Sequence, residues 1–306
     1  MTKYVLVRIA KAILTIWFIL TLVFVFTRLS GDPTKWILPD DATEEQRAAM
    51  RTNLGLDKPL SEQYWDVMTS LVTGDSGISY NYLRPVNELY AERIGATLKL
   101  GLISFSIATV LGITLGTVAA VKRNSFFDRF TMTLSIAGST LPNFVLGILL
   151  VFVFCFVFRV LPSGGDAGIK NYILPIITMS VGPMASIARL TRSSLLDVLR
   201  NDYLDCARSK GLDEKLVLIK HALRNALIPI VTVVGLQLGT MIGGSVVVET
   251  VFAWPGIGSL LINGAKMRDF PIIIYGVMLI SVAVTVVNTL VDILYSVLDP
   301  RIRDNA

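Results

Sequence analysis

One histidine and two cysteines in 306 residues leave little material for metal centres or thiol chemistry. Cys155 lies in an apolar run and Cys206 in a basic one, so no disulfide framework is available and both are expected to be free thiols. His221 has no Cys/His cluster around it, and Cys206 fifteen residues away does not make one, which excludes an ordinary metal site. Charge is scarce too: 17% of residues are charged, 53% are hydrophobic and the mean hydropathy is +0.64. Those values lie outside the soluble globular range and describe a polytopic membrane protein. No Gly-Lys-Ser/Thr opens a helix, so the glycine-rich Gly164-Gly165-Asp166-Ala167-Gly168-Ile169-Lys170 is not a phosphate loop and this chain is expected to bind no ATP itself. No internal repeat divides the chain into two transporter halves. No small-x-small cleavage site follows the first apolar stretch, which runs into Arg28-Leu29-Ser30-Gly31-Asp32-Pro33 and is read as an uncleaved span.

What is present is a series of apolar segments at about 9–29, 96–121, 130–160, 172–190, 226–248 and 272–298, each near the roughly 20 residues that a bilayer requires. Lys99 does not veto the second, because about +3 kcal/mol for one lysine is outweighed by a span of apolar residues and the side chain can snorkel. Pro142 divides the third and predicts a tilted helix kinked there. Pro175, Gly182 and Pro183 interrupt the fourth and predict a broken helix facing inward, since freed backbone groups must be covered by protein or by a water-filled cavity.

A net charge of +5 and a pI near 9.2 would suggest nucleic acid in a soluble protein, but in a membrane protein basic residues report topology. With the amino terminus inside, sixteen Lys and Arg fall on inner segments and four on the short outer loops. That asymmetry puts both termini in the cytoplasm and makes membrane lipid, not nucleic acid, the expected surface partner. The resulting division is a first helix at 1–29, an outer segment at 30–95, a core of five helices at 96–298 with a cytoplasmic loop at 191–225, and a tail at 299–306. Thr43 and Gln46 fit a capping box in the outer segment, which is therefore expected to be folded.

The longest polar interruption in the second half runs from Asn201 to Pro229. Helix formers occupy Asp197 to Lys210, Gly211 is a good stop, Asp213 can cap a second helix, and Leu216, Val217, Ile219, Leu223 and Leu227 give it an apolar stripe. Helix, turn, helix is the prediction. Periodicity alone leaves two uses open: a loop lying on anionic lipid, or a docking element.

Within it, Asp205-Cys206-Ala207, then Gly211, then His221-Ala222-Leu223-Arg224 resemble the coupling segment of permease subunits in ATP-driven, binding-protein-dependent importers. His221 and Arg224 depart from the broad family pattern in the way of one branch, the permeases for dipeptides, oligopeptides, glutathione and nickel chelates. The same branch is echoed by Gly31-Asp32-Pro33, Leu54-Gly55-Leu56-Asp57-Lys58-Pro59-Leu60, Gly74-Asp75-Ser76-Gly77-Ile78-Ser79, Glu249-Thr250-Val251-Phe252-Ala253-Trp254-Pro255-Gly256-Ile257-Gly258, Arg268-Asp269-Phe270-Pro271 and Asp299-Pro300-Arg301-Ile302-Arg303. The resemblance implies an all-α fold of six transmembrane helices, the type I ABC importer permease fold with a methionine-importer-like core. It also implies a second homologous permease, two cytoplasmic ATPase subunits carrying ATP and Mg, and a periplasmic or lipid-anchored solute-binding protein, all in the bacterial inner membrane. The small Ala207 and Gly211 would then let the coupling helix enter a groove on an ATPase, with Asp205, Cys206, His221 and Arg224 around them.

Polar residues at membrane depth are costly, so Ser139, Thr140, Asn143, Gln237 and Asn288 are candidates for lining a passage, with interhelical packing as the alternative. Gly235, Gly239 and Gly243 on the fifth span, and Gly112 and Gly116 on the second, permit close helix packing within the chain or against a partner. Gly74-Asp75-Ser76-Gly77 looks like a protease nucleophile segment, but His221 is expected on the other membrane face and cannot serve as its base. A self-sufficient channel or ion-coupled carrier is the remaining rival; it would need a mid-membrane acid, and Asp292 near the inner end is the nearest to one.

Overall fold

The computed structural model describes residues 2–298, and side chains from 6 to 293. The expected tail and the Asp299-to-Arg303 motif lie outside that range. All regular elements among the described residues are helical: α1 (Thr2–Leu29), α2 (Thr34–Ile37), α3 (Glu44–Asn53), α4 (Leu60–Thr73), α5 (Val86–Val121), α6 (Phe126–Thr140), α7 (Asn143–Val151), α8 (Ile169–Val198), α9 (Asp202–Ser209), α10 (Glu214–Leu216), α11 (Arg224–Val251), α12 (Ile257–Lys266) and α13 (Phe270–Leu298). Two π-helical turns, Phe152–Val157 and Val217–Leu223, join α7 to the next loop and α10 to α11.

Five helices are long and apolar enough to span a membrane, and the pair α6 and α7 makes a sixth, broken span. The chain crosses between the same two ends each time. The 30–85 segment, Gly164 and the 252–269 stretch meet at one end, whereas Asp128, Arg192, the 199–213 turn and the Arg8–Asp292 ion pair (2.7 Å) lie at the other.

Two expectations about proline need correction. Pro142 does not kink one helix: Leu141 is extended (ψ 123°) as the residue before a proline prefers, and α6 and α7 meet at 103°. Conversely, Pro175 and Pro183 do not break the fourth span, which runs as one helix from Ile169 to Val198. Its inward position is as expected, because α8 is the most covered of the spans. α5 packs along it through missing side chains. A Cβ at Gly112 would sit 2.8 Å from the Ile187 Cβ, and one at Gly116 would sit 2.5 Å from the Ala188 carbonyl oxygen. Those two glycines therefore serve packing within the chain, the lipid-phase logic of small residues at a helix crossing. On α11 a Cβ at Gly239 would lie 2.2 Å from Asn288 Oδ1, whereas Gly243 faces open space.

Candidate functional site, an elbow at one end and a clasp at the other

The loop after α8 folds as helix, turn, helix. α8 ends at Val198, the three residues Leu199, Arg200 and Asn201 bend the chain, and α9 begins at Asp202. Gly211 stops it in the left-handed region (φ +78°), where a Cβ would be strained although it would meet nothing within 4 Å. Asp213 caps the next helix by accepting from the Lys215 N–H at 3.1 Å. From there the chain is helical without a break to Val251, so the elbow is the end of the fifth span itself.

The elbow is closed by ion pairs. Arg208 donates through Nη1 to Asp205 (2.8 Å) and through Nε and Nη2 to Glu214 (3.1 and 3.0 Å), bridging α9 to α10 across the glycine turn. The Glu214 and then the Asp205 carboxylate hold the guanidinium protonated well beyond its ordinary range. Both acids are exposed, so solvent screens this strut. The π turn behind it puts one more residue into each turn than an α-helix does and rotates the faces that follow. Val217 and Ala222 are buried in consequence, while Leu216 and Ile219, expected on the inner stripe, are exposed. Asn225 Nδ2 donates to the His221 carbonyl (2.9 Å) and to Tyr203 Oη (2.7 Å), tying α9 to the π turn.

Placed one by one, the expected elbow residues separate. Asp205, Cys206, Gly211 and Arg224 are exposed and His221 is half-buried. Ala207 is buried with Leu204, Leu195, Val217 and Ala222 in the chain's own core, so its small side chain serves the seating of α9 on α8 and α11. Of the polar membrane residues, Gln237, Thr240 and Gly244 share one face of α11, and a Cβ at Gly244 would be 3.6 Å from Asn143 Nδ2. Ser139 and Thr140 are exposed just before that asparagine and return their hydroxyl protons to the Ile136 carbonyl (3.1 and 2.8 Å). Asn288 stands apart, pressed against Gly239 roughly 200° around α11 from Gln237. Asp292 pairs with Arg8 at the membrane edge, which removes it as a mid-membrane acid.

Sequence reasoning missed a bidentate pair at this end. Arg192 of α8 holds buried Asp128 of α6 through Nε and Nη2 (2.5 and 2.7 Å), and Asn124 N–H donates to the same carboxylate (2.9 Å). The available signal was Ser125, whose hydroxyl caps α6 by accepting from the Asp128 N–H (3.2 Å).

At the opposite end the motifs interlock. Fully buried Glu249 accepts from Thr97 Oγ1 (2.7 Å) and from the N–H groups of Gly258 (2.7 Å) and Ser259 (3.1 Å), so a carboxylate sits on the N-terminus of α12. Gly256 and Gly258 leave room for it: a Cβ on either would come within 2.9 Å of its oxygens. Trp254, also fully buried, donates to the Ala96 carbonyl (3.1 Å) and meets the Tyr172 ring edge-on (4.5 Å). Asp269 is buried as well and accepts from Ser79 Oγ (2.6 Å) and from Asn81 N–H (3.0 Å), fastening the 74–85 loop to the start of α13. Ser76 is a turn residue there, its Oγ accepting from Asn87 N–H at 2.9 Å. Among the described residues no group of three or more His, Cys, Asp or Glu is arranged to hold a metal ion.

Known proteins share the sequence and the fold of this chain. The family model for the binding-protein-dependent transport system inner membrane component matches residues 112–304, and the model for the N-terminal part of such membrane components matches residues 1–101. The glutathione transport system permease protein GsiC of Escherichia coli strain K12 is 42% identical over 304 residues, 99% of each chain. Its counterpart in Salmonella typhimurium strain LT2 is 43% identical over the same span. Among solved structures, the MetNI methionine ABC transporter in inward-facing conformations superposes with a TM-score of 0.56 at 19% identity, over 69% of this chain and 96% of that one. An amino acid ABC transporter superposes with a TM-score of 0.56 at 15% identity, over 68% and 94%.

Proposed function

The chain belongs to the binding-protein-dependent transport system inner membrane components, and from that premise we propose that it is one of two pore-forming permeases of an ATP-driven importer for peptide-class solutes. It is a multi-pass inner-membrane protein with the type I ABC importer permease fold, a transport component and not a catalyst. The partners in this reading are a second homologous permease, two cytoplasmic ATPase subunits that carry ATP and Mg, and a periplasmic or lipid-anchored receptor. Both termini and the elbow at 199–213 face the cytoplasm.

One observation carries the coupling part of the reading: the exposed elbow is continuous with a membrane span, so a force on α9 and α10 is a force on α11. ATP binding draws the two ATPases together, the elbows follow, and the passage opens toward the loaded receptor; hydrolysis resets it. Asp205, Cys206, Gly211 and Arg224 form the ATPase-facing surface, with the His221 carbonyl holding its shape. Gln237 on α11, with Ser139, Thr140 and Asn143 at the α6–α7 break, gives a short polar strip beside which solute would pass. The relatives named as glutathione permeases support a small peptide such as glutathione, and the motif resemblance of the sequence keeps dipeptides, oligopeptides and nickel chelates within the class.

The test is reconstitution of the chain with its partner permease, ATPases and receptor in sealed vesicles, followed by uptake of labelled glutathione and dipeptides. Uptake that needs ATP and the ATPases is the expected result. Flux through vesicles holding this chain alone would support the self-sufficient channel or carrier instead.

A further inference from the structure

Helix α4 of the outer segment is apolar over more of its surface than the protein covers. Gln63 and Met68 are buried, and Tyr64 is held against α1 by a hydrogen bond between its hydroxyl and that of Thr21 (2.9 Å) and by an edge-on contact with the Phe24 ring (5.3 Å). Next to that edge Trp65 and Val72 remain 61% and 89% exposed. They overhang a groove of about 500 Å³ whose other walls include Ile13 and Trp17 of α1 and Met278 and Val282 of α13.

Depth decides what such a groove meets. At 1.5 Å per helical residue, Trp17 lies about 18 Å along α1 from Leu29, and Met278 about 12 Å along α13 from Phe270. The hydrocarbon core is about 30 Å thick, so the groove floor is inside it. The opposite edge of α4, at Val67 and Ser70, faces Arg28, Phe270 and Pro271 at the end of the spans. α4 therefore lies across α1 and α13 with one edge up and one edge down. Its charged residues Glu62 and Asp66 are exposed, Asp66 paired with Lys58 at 2.5 Å.

We propose that α4 is an interfacial helix sunk into the outer leaflet, and that the groove beneath Trp65 and Val72 seats a phospholipid acyl chain. The groove is continuous with the uncovered face of α1, where Ile13 and Trp17 are 64% and 47% exposed on a helix that is itself a membrane span. Its walls offer little to a polar ligand: besides the indole N–H groups of Trp17 and Trp65, the lining side chains carry no donor but two threonine hydroxyls. The hydroxyls of Thr69 and Thr73 are spent on their own helix, on the carbonyls of Trp65 (2.7 Å) and Thr69 (3.0 Å). Apolar walls at this depth, polar only at two indole N–H groups of the kind that sit at a membrane interface, select hydrocarbon, and a half-covered amphipathic helix with tryptophan on the apolar side is the chemistry of membrane-surface binding.

The experiment compares the full-length chain with Trp65→Phe in vesicles of phosphatidylethanolamine and phosphatidylglycerol, with and without bromine on the acyl chains. The difference in emission between the two proteins isolates Trp65, and Trp254 is left intact. Brominated chains are expected to remove roughly half or more of that difference while aqueous iodide leaves it in place. Val72→Glu, at a position with almost no cover from the chain, is expected to reverse the two sensitivities without loss of folded protein. Quenching of wild-type Trp65 by iodide would put α4 in water, and quenching by neither agent would mean a protein partner fills the groove; either overturns the proposal.

Discussion

The two ends of this molecule are held together by different physics. At the clasp, Glu249 and Asp269 are acids with no exposure, each accepting several hydrogen bonds, and glycines at 256 and 258 let backbone and carboxylate approach to contact. At the elbow, Arg208 joins two exposed acids, Gly211 sits in a left-handed turn, and a π turn replaces regular helix. Buried, fully bonded acids are costly to disturb, whereas exposed pairs are worth little. The contrast suits a transporter: the clasp makes a rigid hub of α5, α11, α12 and α13, and the elbow is a lever that can be reset at low cost.

Breaking the hub should give the largest effects on stability. Glu249→Ala leaves two backbone N–H groups and a threonine hydroxyl without their acceptor, and is expected to cost about 3–5 kcal/mol. Thermal unfolding in detergent would register this as a loss of most folded protein at temperatures the wild type survives, with Glu249→Gln less affected. Asp128→Ala strands Arg192, which keeps partial solvent contact, so roughly 2–3 kcal/mol is expected by the same assay. Gly211→Val comes next. A β-branched residue at φ +78° costs about 1–2 kcal/mol, yet uptake in the reconstituted system should fall far more than that loss of folded protein explains. Arg208→Ala sits at the bottom of the stability scale with no measurable change in unfolding temperature, while solute moved per ATP hydrolysed drops. If Arg208→Ala destabilised the chain as much as Glu249→Ala does, the division into hub and lever would be wrong.

Much of this was legible before any coordinates. Hydropathy located every span, because about 20 apolar residues in a row have few other uses, and capping chemistry placed the starts of α3 and α10 at Thr43 and Asp213. What was lost is instructive. The proline rule acts on neighbours: the residue before Pro142 took an extended conformation and the helix ended, while Pro175 and Pro183 were absorbed by a helix packed against α5. The π turn cannot be seen in a 3.6-residue pattern: of the stripe expected at Leu216, Val217, Ile219, Leu223 and Leu227, Val217 is buried and Leu223 and Leu227 are half-buried, but Leu216 and Ile219 are exposed and Ala222 is buried instead. Ala207 looked small for a partner's sake and is small for the chain's own core; Ala207→Asp would bury a charge beside Leu204 and report on folding, not coupling. The motifs of the clasp end read as separate marks, yet they are two halves of contacts: Asp269 with Ser79, and Glu249 with Gly258.

The account stands on the elbow facing the cytoplasm where an ATPase can hold it. Cys206 is exposed on α9, and Cys155 is the other cysteine in the chain. In a Cys155→Ser background, a membrane-impermeant maleimide applied to right-side-out and inverted vesicles reads the side directly. Labelling confined to inverted vesicles, and blocked when the ATPases are bound, is the expected result; labelling from the periplasmic side would contradict it.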